Sequence, residues 1–105
     1  MTEVQKLAEF VHSRDYKDLS GKAVLELKIR LLDALGCAIG ALEGKPVKML
    51  KAQLDDFGGN PLVSLVGGGK TAPDRAAFDN SALVRYLDFN DSYLAKNETC
   101  HPSDN

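Results

Sequence analysis

The chain has 105 residues and a formal charge of −2, from 13 basic and 15 acidic side chains. That length allows one domain at most, and the near-neutral balance excludes the basic footprint of a nucleic-acid binder. The longest run of apolar residues and glycine, 34–42, is far shorter than the roughly twenty residues that span a bilayer, which excludes a membrane helix.

Thr2 followed by Gln5 forms a capping-box pattern. Val4, Leu7, Ala8 and Val11 recur at helical spacing, so a first helix is expected to end near Ser13. His12 sits in its last turn, where an imidazole favours the helix C-terminus rather than ligating anything. "RDYKD" is a polar connection. Ser20 is the next N-cap candidate, and residues 21–43 are compatible with a second helix. Val24, Leu27, Leu31, Leu35, Ala38 and Leu42 make one apolar stripe, and Leu25, Ile29, Leu32 and Ile39 fill the adjoining face. So broad a surface predicts packing on more than one side. Gly36, Gly40 and Gly44 form a ladder at four-residue spacing. Lys28, Arg30 and Asp33 exclude lipid here, so the ladder predicts close backbone packing in a core.

Pro46 suits the first position of a third helix, with Val47, Leu50, Leu54 and Phe57 as its buried stripe and Gly58-Gly59 as its stop. "LVSLV" (62–66) reads as one short extended segment without an obvious partner strand. "GGGKTAP" reads as a loop. Pro73 or Asp74 opens a fourth helix through Ala76, Ala77, Leu83, Val84 and Leu87, and Phe89 onward reads as loop. The expected fold is all-α: about four helices and one short extended segment.

The "GGGKT" stretch is not a phosphate loop. That motif needs glycine where Ser64 stands, and a helix opening at the Lys-Thr pair rather than after Pro73. The opening "MTEVQKLAEFVHSRDY" lacks the basic-then-apolar pattern of a signal peptide. Cys37, in an apolar pattern, and Cys100, in a polar tail, do not make a disulfide framework, so a reducing cytoplasm is the expectation.

The tail, "DFNDSYLAKNETCHPSDN" (88–105), concentrates reactive groups. Asp88 and Asp91 would share one face if the fourth helix ran on to them, and paired carboxylates raise one pKa. Ser92 and Tyr93 add hydroxyls. His101 precedes Pro102, which enforces an extended or turn conformation. Spacing alone favours a solvated, turn-rich acidic segment. A divalent metal held by Asp88, Asp91 and His101 is a weaker alternative, because nothing fixes the ligand spacing. Cys100 next to His101 is poor geometry for a thiolate pair, since adjacent residues of an extended chain point apart.

"LDFNDSYLAKNETCHPSDN" resembles the MmgE/PrpD family, whose pattern is an aspartate-rich D-x-[DN]-D segment, a short loop, then HPS. "LLDALGCAIGAL" and "GGGKTAPDRAAFDNSALVRYLDFND" are similar to the same family's N-terminal region. The resemblance implies the start of a large helical domain, in proteins several times longer than this chain. The expectation is therefore an N-terminal, truncated piece (1–105) of such a domain. It implies cofactor-independent lyase or isomerase chemistry on a small di- or tricarboxylate, with 2-methylcitrate-type dehydration foremost and decarboxylation or epimerisation as variants. It places site residues at Asp88, Ser92 and His101. His101 and Asp88 would be catalytic; Ser92 and Asp91 would bind substrate. Asn90 stands where some relatives carry an acid. No metal or cofactor is implied, and homo-oligomers are common among relatives. The alternative from another class is a small helical interaction module with no catalytic role.

Overall fold

The computed structural model describes residues 1–102. Helix α1 spans Glu3–His12, a 3-10 turn spans Tyr16–Asp18, α2 spans Gly21–Gly40, α3 spans Lys45–Phe57 and α4 spans Pro73–Tyr86. Two small antiparallel hairpins complete the fold: β1 (Val63–Ser64) with β2 (Lys70–Thr71), and β3 (Tyr93–Leu94) with β4 (Thr99–Cys100). The fold is mainly helical, as the periodicity predicts.

The helix starts follow their caps. Thr2 accepts from the Gln5 N–H, and the Gln5 side chain accepts from the Thr2 N–H at 2.7 Å, a complete capping box. Ser20 accepts from the Ala23 N–H at 3.1 Å. Pro46 and Pro73 occupy the first turns of α3 and α4, where a missing N–H costs nothing.

Helix α4 is the hub. It packs on α2, on α3 and on both strands of the first hairpin. Ala38, Ala41, Val47 and Leu83 form one buried cluster, flanked by Leu42, Val66, Val84 and Leu87. Leu54, Leu65 and Ala76 form a second, flanked by Val63. Asn80 on α4 fastens the hairpin: its Oδ1 accepts from the Val66 N–H at 2.9 Å, and its Nδ2 donates to the Ser64 carbonyl at 3.2 Å.

Several expectations need correction. The 62–66 segment does have a partner: Val63 pairs with Thr71 and Ser64 with Lys70, through a turn whose Gly68 and Gly69 adopt φ of 94° and 85°. The glycine run is thus a hairpin turn, and positive φ explains its residue type. A second hairpin forms within what reads as loop. Helix α2 ends at Gly40 rather than near residue 43, and α4 ends at Tyr86. Asp88 and Asp91 therefore do not share a helix face. Of the glycine ladder, two members are approached closely. A Cβ on Gly44 would meet Tyr86 Cε1 at 2.6 Å and one on Gly40 would meet Leu87 Cδ1 at 3.1 Å, whereas Gly36 has nothing within 4 Å.

Helix α2 buries Cys37 and Ala38 near its C-terminus but leaves Leu25, Leu31 and Leu32 exposed, so it is not packed on several sides here. Helix α1 has no buried residue. The accessible surface is 8067 Å², against about 5,800 Å² for a compact monomer of this mass. The radius of gyration is 16.7 Å, against about 13 Å for a compact chain of this length. No helix among the described residues is long and apolar enough to cross a membrane.

One buried group works against the core. Asp79 on α4 is 2% exposed, and its Oδ1 has no hydrogen-bond partner from the protein. Burial raises its pKa, with Lys51 partly opposing the shift and Asp55 adding to it. The folded state then holds the Asp79 proton more tightly than the unfolded chain does. Asp79 contributes most below the unfolded carboxylate value of about 3.9, and that contribution is lost as pH rises through its raised folded pKa. Asp79→Asn is expected to flatten the acid side of the stability profile and to raise stability at neutral pH, read from urea midpoints between acid and neutral pH.

Candidate active site

The site begins where α4 stops. Leu87 is the C-cap, and Asp88 follows with φ of 57°, a left-handed conformation that Asp tolerates better than most residues. The Asp88 N–H donates to the Arg85 carbonyl at 3.1 Å. The Asp88 carboxylate forms an ion pair with Arg85 Nη1. Arg85 Nη1 also donates to Asn90 Oδ1 at 3.1 Å, and Asn90 Nδ2 donates back to the Val84 carbonyl at 3.3 Å. Arg85, Asp88 and Asn90 together fix how the chain leaves the helix.

That exit feeds the second hairpin. Tyr93 pairs with Cys100 and Leu94 with Thr99, and the Ala95 N–H donates to the Glu98 carbonyl at 2.8 Å across the turn. Antiparallel register adds one residue on each side, so the next facing pair is Ser92 with His101. The side chains agree: Ser92 Oγ lies 3.4 Å from His101 Nδ1. His101 Nδ1 lies closer still, 2.8 Å, to the Asp91 carbonyl oxygen.

A carbonyl oxygen only accepts, so His101 Nδ1 carries the proton and donates to Asp91. In the neutral ring the lone pair then resides on Nε2. The hairpin thus presents one imidazole nitrogen as a base and anchors the other on backbone. His101 is half-buried, and the Ser92 hydroxyl beside it is exposed.

The structure brings His101, Asp91 and Ser92 together. Asp91 participates through its carbonyl, a role its residue type does not reveal. Asp88 is directed to Arg85 instead. Ser103, the last residue of the HPS motif, lies outside the described residues. Arg85 is missed by the sequence reading, although the i,i+3 spacing of Arg85 and Asp88 is a signal for their ion pair, and Asn90 is noted there only as a replaced acid, not as a partner of Arg85. Among the described residues, no group of three or more His, Cys, Asp or Glu side chains is placed to hold a metal ion.

Residues 5–105 match the model of the MmgE/PrpD N-terminal domain, and the chain belongs to the MmgE/PrpD family. It is 35% identical over 104 residues to a mitochondrial 2-methylcitrate dehydratase of Yarrowia lipolytica, covering 97% of this chain and 19% of that protein. It is 44% identical over 77 residues to the 2-methylcitrate dehydratase of Salmonella typhi, covering 71% of this chain and 16% of that protein. It is 43% identical over 77 residues to the 2-methylcitrate dehydratase of Escherichia coli, with the same coverage of 71% and 16%. The chain thus spans about a fifth of the length of the curated relatives it matches. No solved structure gives a significant match.

The hydrogen-bond pattern predicts a tautomer. Nitrogen NMR of the neutral His101 ring should show Nδ1 protonated and Nε2 bare. Ser92→Ala should leave that assignment unchanged, because the shorter bond is to the Asp91 carbonyl. A bare Nδ1 in the neutral ring would contradict the geometry.

Proposed function

We propose that this chain supplies one wall of the active site of a 2-methylcitrate dehydratase-like lyase. The carrying observation is the bond from His101 Nδ1–H to the Asp91 carbonyl, which leaves Nε2 as an available base beside the Ser92 hydroxyl. The substrate class is a small di- or tricarboxylate, and the reading needs no cofactor.

Water loss from such an acid breaks a C–H bond next to a carboxylate and a C–O bond on the neighbouring carbon. The electron pair of the C–H bond becomes the new C=C bond, and the departing hydroxide must gain a proton. The C–H proton is weakly acidic, so a base must lie within hydrogen-bond reach while the enolate-like charge is stabilised. His101 Nε2, its lone pair left open by the Nδ1–H bond to the Asp91 carbonyl, is placed to take or return a proton. Ser92 donates its hydroxyl to a substrate carboxylate. Asp88 acts as partner acid or base, or holds the site through Arg85. Asp91 contributes to substrate binding as well as anchoring the imidazole.

The substrate is anionic and this segment is acidic. Arg85 is already engaged by Asp88 and Asn90. The cationic groups that hold the substrate are therefore not supplied by Arg85, and the 105-residue chain alone is expected to be inactive. Cys37 and Cys100 are free thiols, which supports a reducing compartment, the cytoplasm.

The test is dehydration of 2-methylcitrate, followed by the ultraviolet absorbance of the unsaturated product. In a preparation that turns over, His101→Ala should lower kcat by about 10²–10⁴-fold. Ser92→Ala should act mainly on KM. An unchanged rate in His101→Ala would overturn this reading in favour of a non-catalytic helical module, and robust turnover by the 105-residue chain alone would overturn the expectation that it is inactive.

The exposed faces of α1 and α2 support self-association as a second element of the proposal. An excess of about 2,300 Å² over a compact monomer exceeds the roughly 800 Å² per partner of an ordinary stable interface. Leu7 is 64% exposed and Leu32 is 72% exposed. Light scattering should report a dimer or larger species, and Leu7→Glu with Leu32→Glu should shift it toward monomer. A clean monomer at high concentration counts against association.

A further inference from the structure

Away from the hairpin site, a cavity of about 290 Å³ lies between the α2–α3 connection, α3, the first hairpin and α4. Leu42, Val47, Leu65 and Leu83 give it aliphatic walls. Asp79, one of its lining residues, is 2% exposed, and its Oδ1 has no protein partner. An ionised buried carboxylate oxygen without a donor is costly, and a ligand that supplies the donor recovers that cost.

The surrounding charges define the ligand. Lys48 and Lys51 line the cavity but are engaged: Lys48 Nζ lies 2.5 Å from Glu43 Oε2, and Lys51 Nζ lies 2.6 Å from Asp55 Oδ1. Arg75, one turn before Asp79 on α4, places its guanidinium over the Phe57 ring at 5.6 Å rather than on Asp79. The first hairpin contributes Leu65 and Gly67, neither of them charged. Glu43 and Asp55 are thus paired with Lys48 and Lys51, while Asp79 Oδ1 and, one turn earlier, Arg75 Nη1 are buried without a hydrogen-bond partner.

We propose that this cavity is a binding site for a small aliphatic primary ammonium ion, with the charged head on Asp79 and the hydrocarbon body against Leu42, Val47, Leu65 and Leu83. An ammonium donates up to three hydrogen bonds and matches a lone carboxylate acceptor. A carboxylate ligand would instead have to face Asp79 and Glu43. A neutral alcohol would supply a single donor and no charge. The site shares no residue with the hairpin centre, so it stands or falls independently of the dehydratase reading. Burial holds the Asp79 carboxyl above its usual range, so binding is expected to strengthen as pH rises through that raised value. It should persist until the amine itself loses its proton near pH 10, about the value for an alkyl ammonium.

The experiment is a titration of the whole chain with n-butylammonium chloride, followed by amide NMR shifts, with sodium butyrate and n-butanol in parallel. Saturable shifts at Val47, Gly67 and Leu83 are expected for the ammonium, weak ones for the alcohol and none for butyrate. Asp79→Asn should weaken ammonium binding by about tenfold or more, the loss of a charge-assisted hydrogen bond. Lys51→Met should keep or tighten it, by removing a competing ammonium group. On the unaltered chain, affinity should fall as pH is lowered toward 4. Equal binding of butyrate, unchanged affinity in Asp79→Asn, a flat pH profile, or no saturation by the ammonium would each overturn the assignment.

Discussion

The packed part of this fold is referred to α4. Leu83 closes the cluster that receives α2 and the start of α3, and Ala76, two turns earlier, closes the cluster that receives the end of α3 and the first hairpin. Asn80 lies between them and ties the hairpin backbone to the same helix. Small residues make the approach close. Ala38, Ala41 and Ala76 are essentially without exposure, and Gly40 and Gly44 admit Leu87 and Tyr86 from the far end of α4. The position at which α4 terminates is fixed by this packing, and so is the starting point of the reactive segment.

From that point the geometry is carried by backbone. The left-handed turn at Asp88 redirects the chain, Arg85 and Asn90 hold the turn, and a two-pair ladder brings His101 back to Ser92. The imidazole is then oriented by a peptide carbonyl. A carbonyl cannot ionise, so the orientation of the ring does not depend on pH as it would with a carboxylate partner. This division, a polar segment hung from a packed helix, keeps the stability of the core separate from the chemistry of the tail.

Much of this was legible in the sequence. Thr2–Gln5, Ser20, Pro46 and Pro73 declare helix starts through local chemistry, and the apolar steps of 3 and 4 residues declare the rest. The resemblance picked out His101 and Ser92, which lie beside one another. What stayed hidden depends on pairing rather than on residue type. A two-residue strand carries no periodicity, so neither hairpin could be read from its own pattern. The use of the Asp91 carbonyl is invisible because every residue has one. The burial of Asp79 follows from its place on the inner side of α4, against the ordinary preference of its side chain for water.

The alternation of the β3–β4 ladder has one more outcome. Neighbours along a strand project to opposite sides, so the exposed Cys100 thiol faces away from the side on which His101 meets Ser92. Cys37, the other thiol, is buried against the core. A thiol-directed fluorophore would therefore attach at Cys100, one residue from the imidazole yet on the reverse of the sheet. The hairpin carries an attachment point on the face opposite the one where His101 meets Ser92.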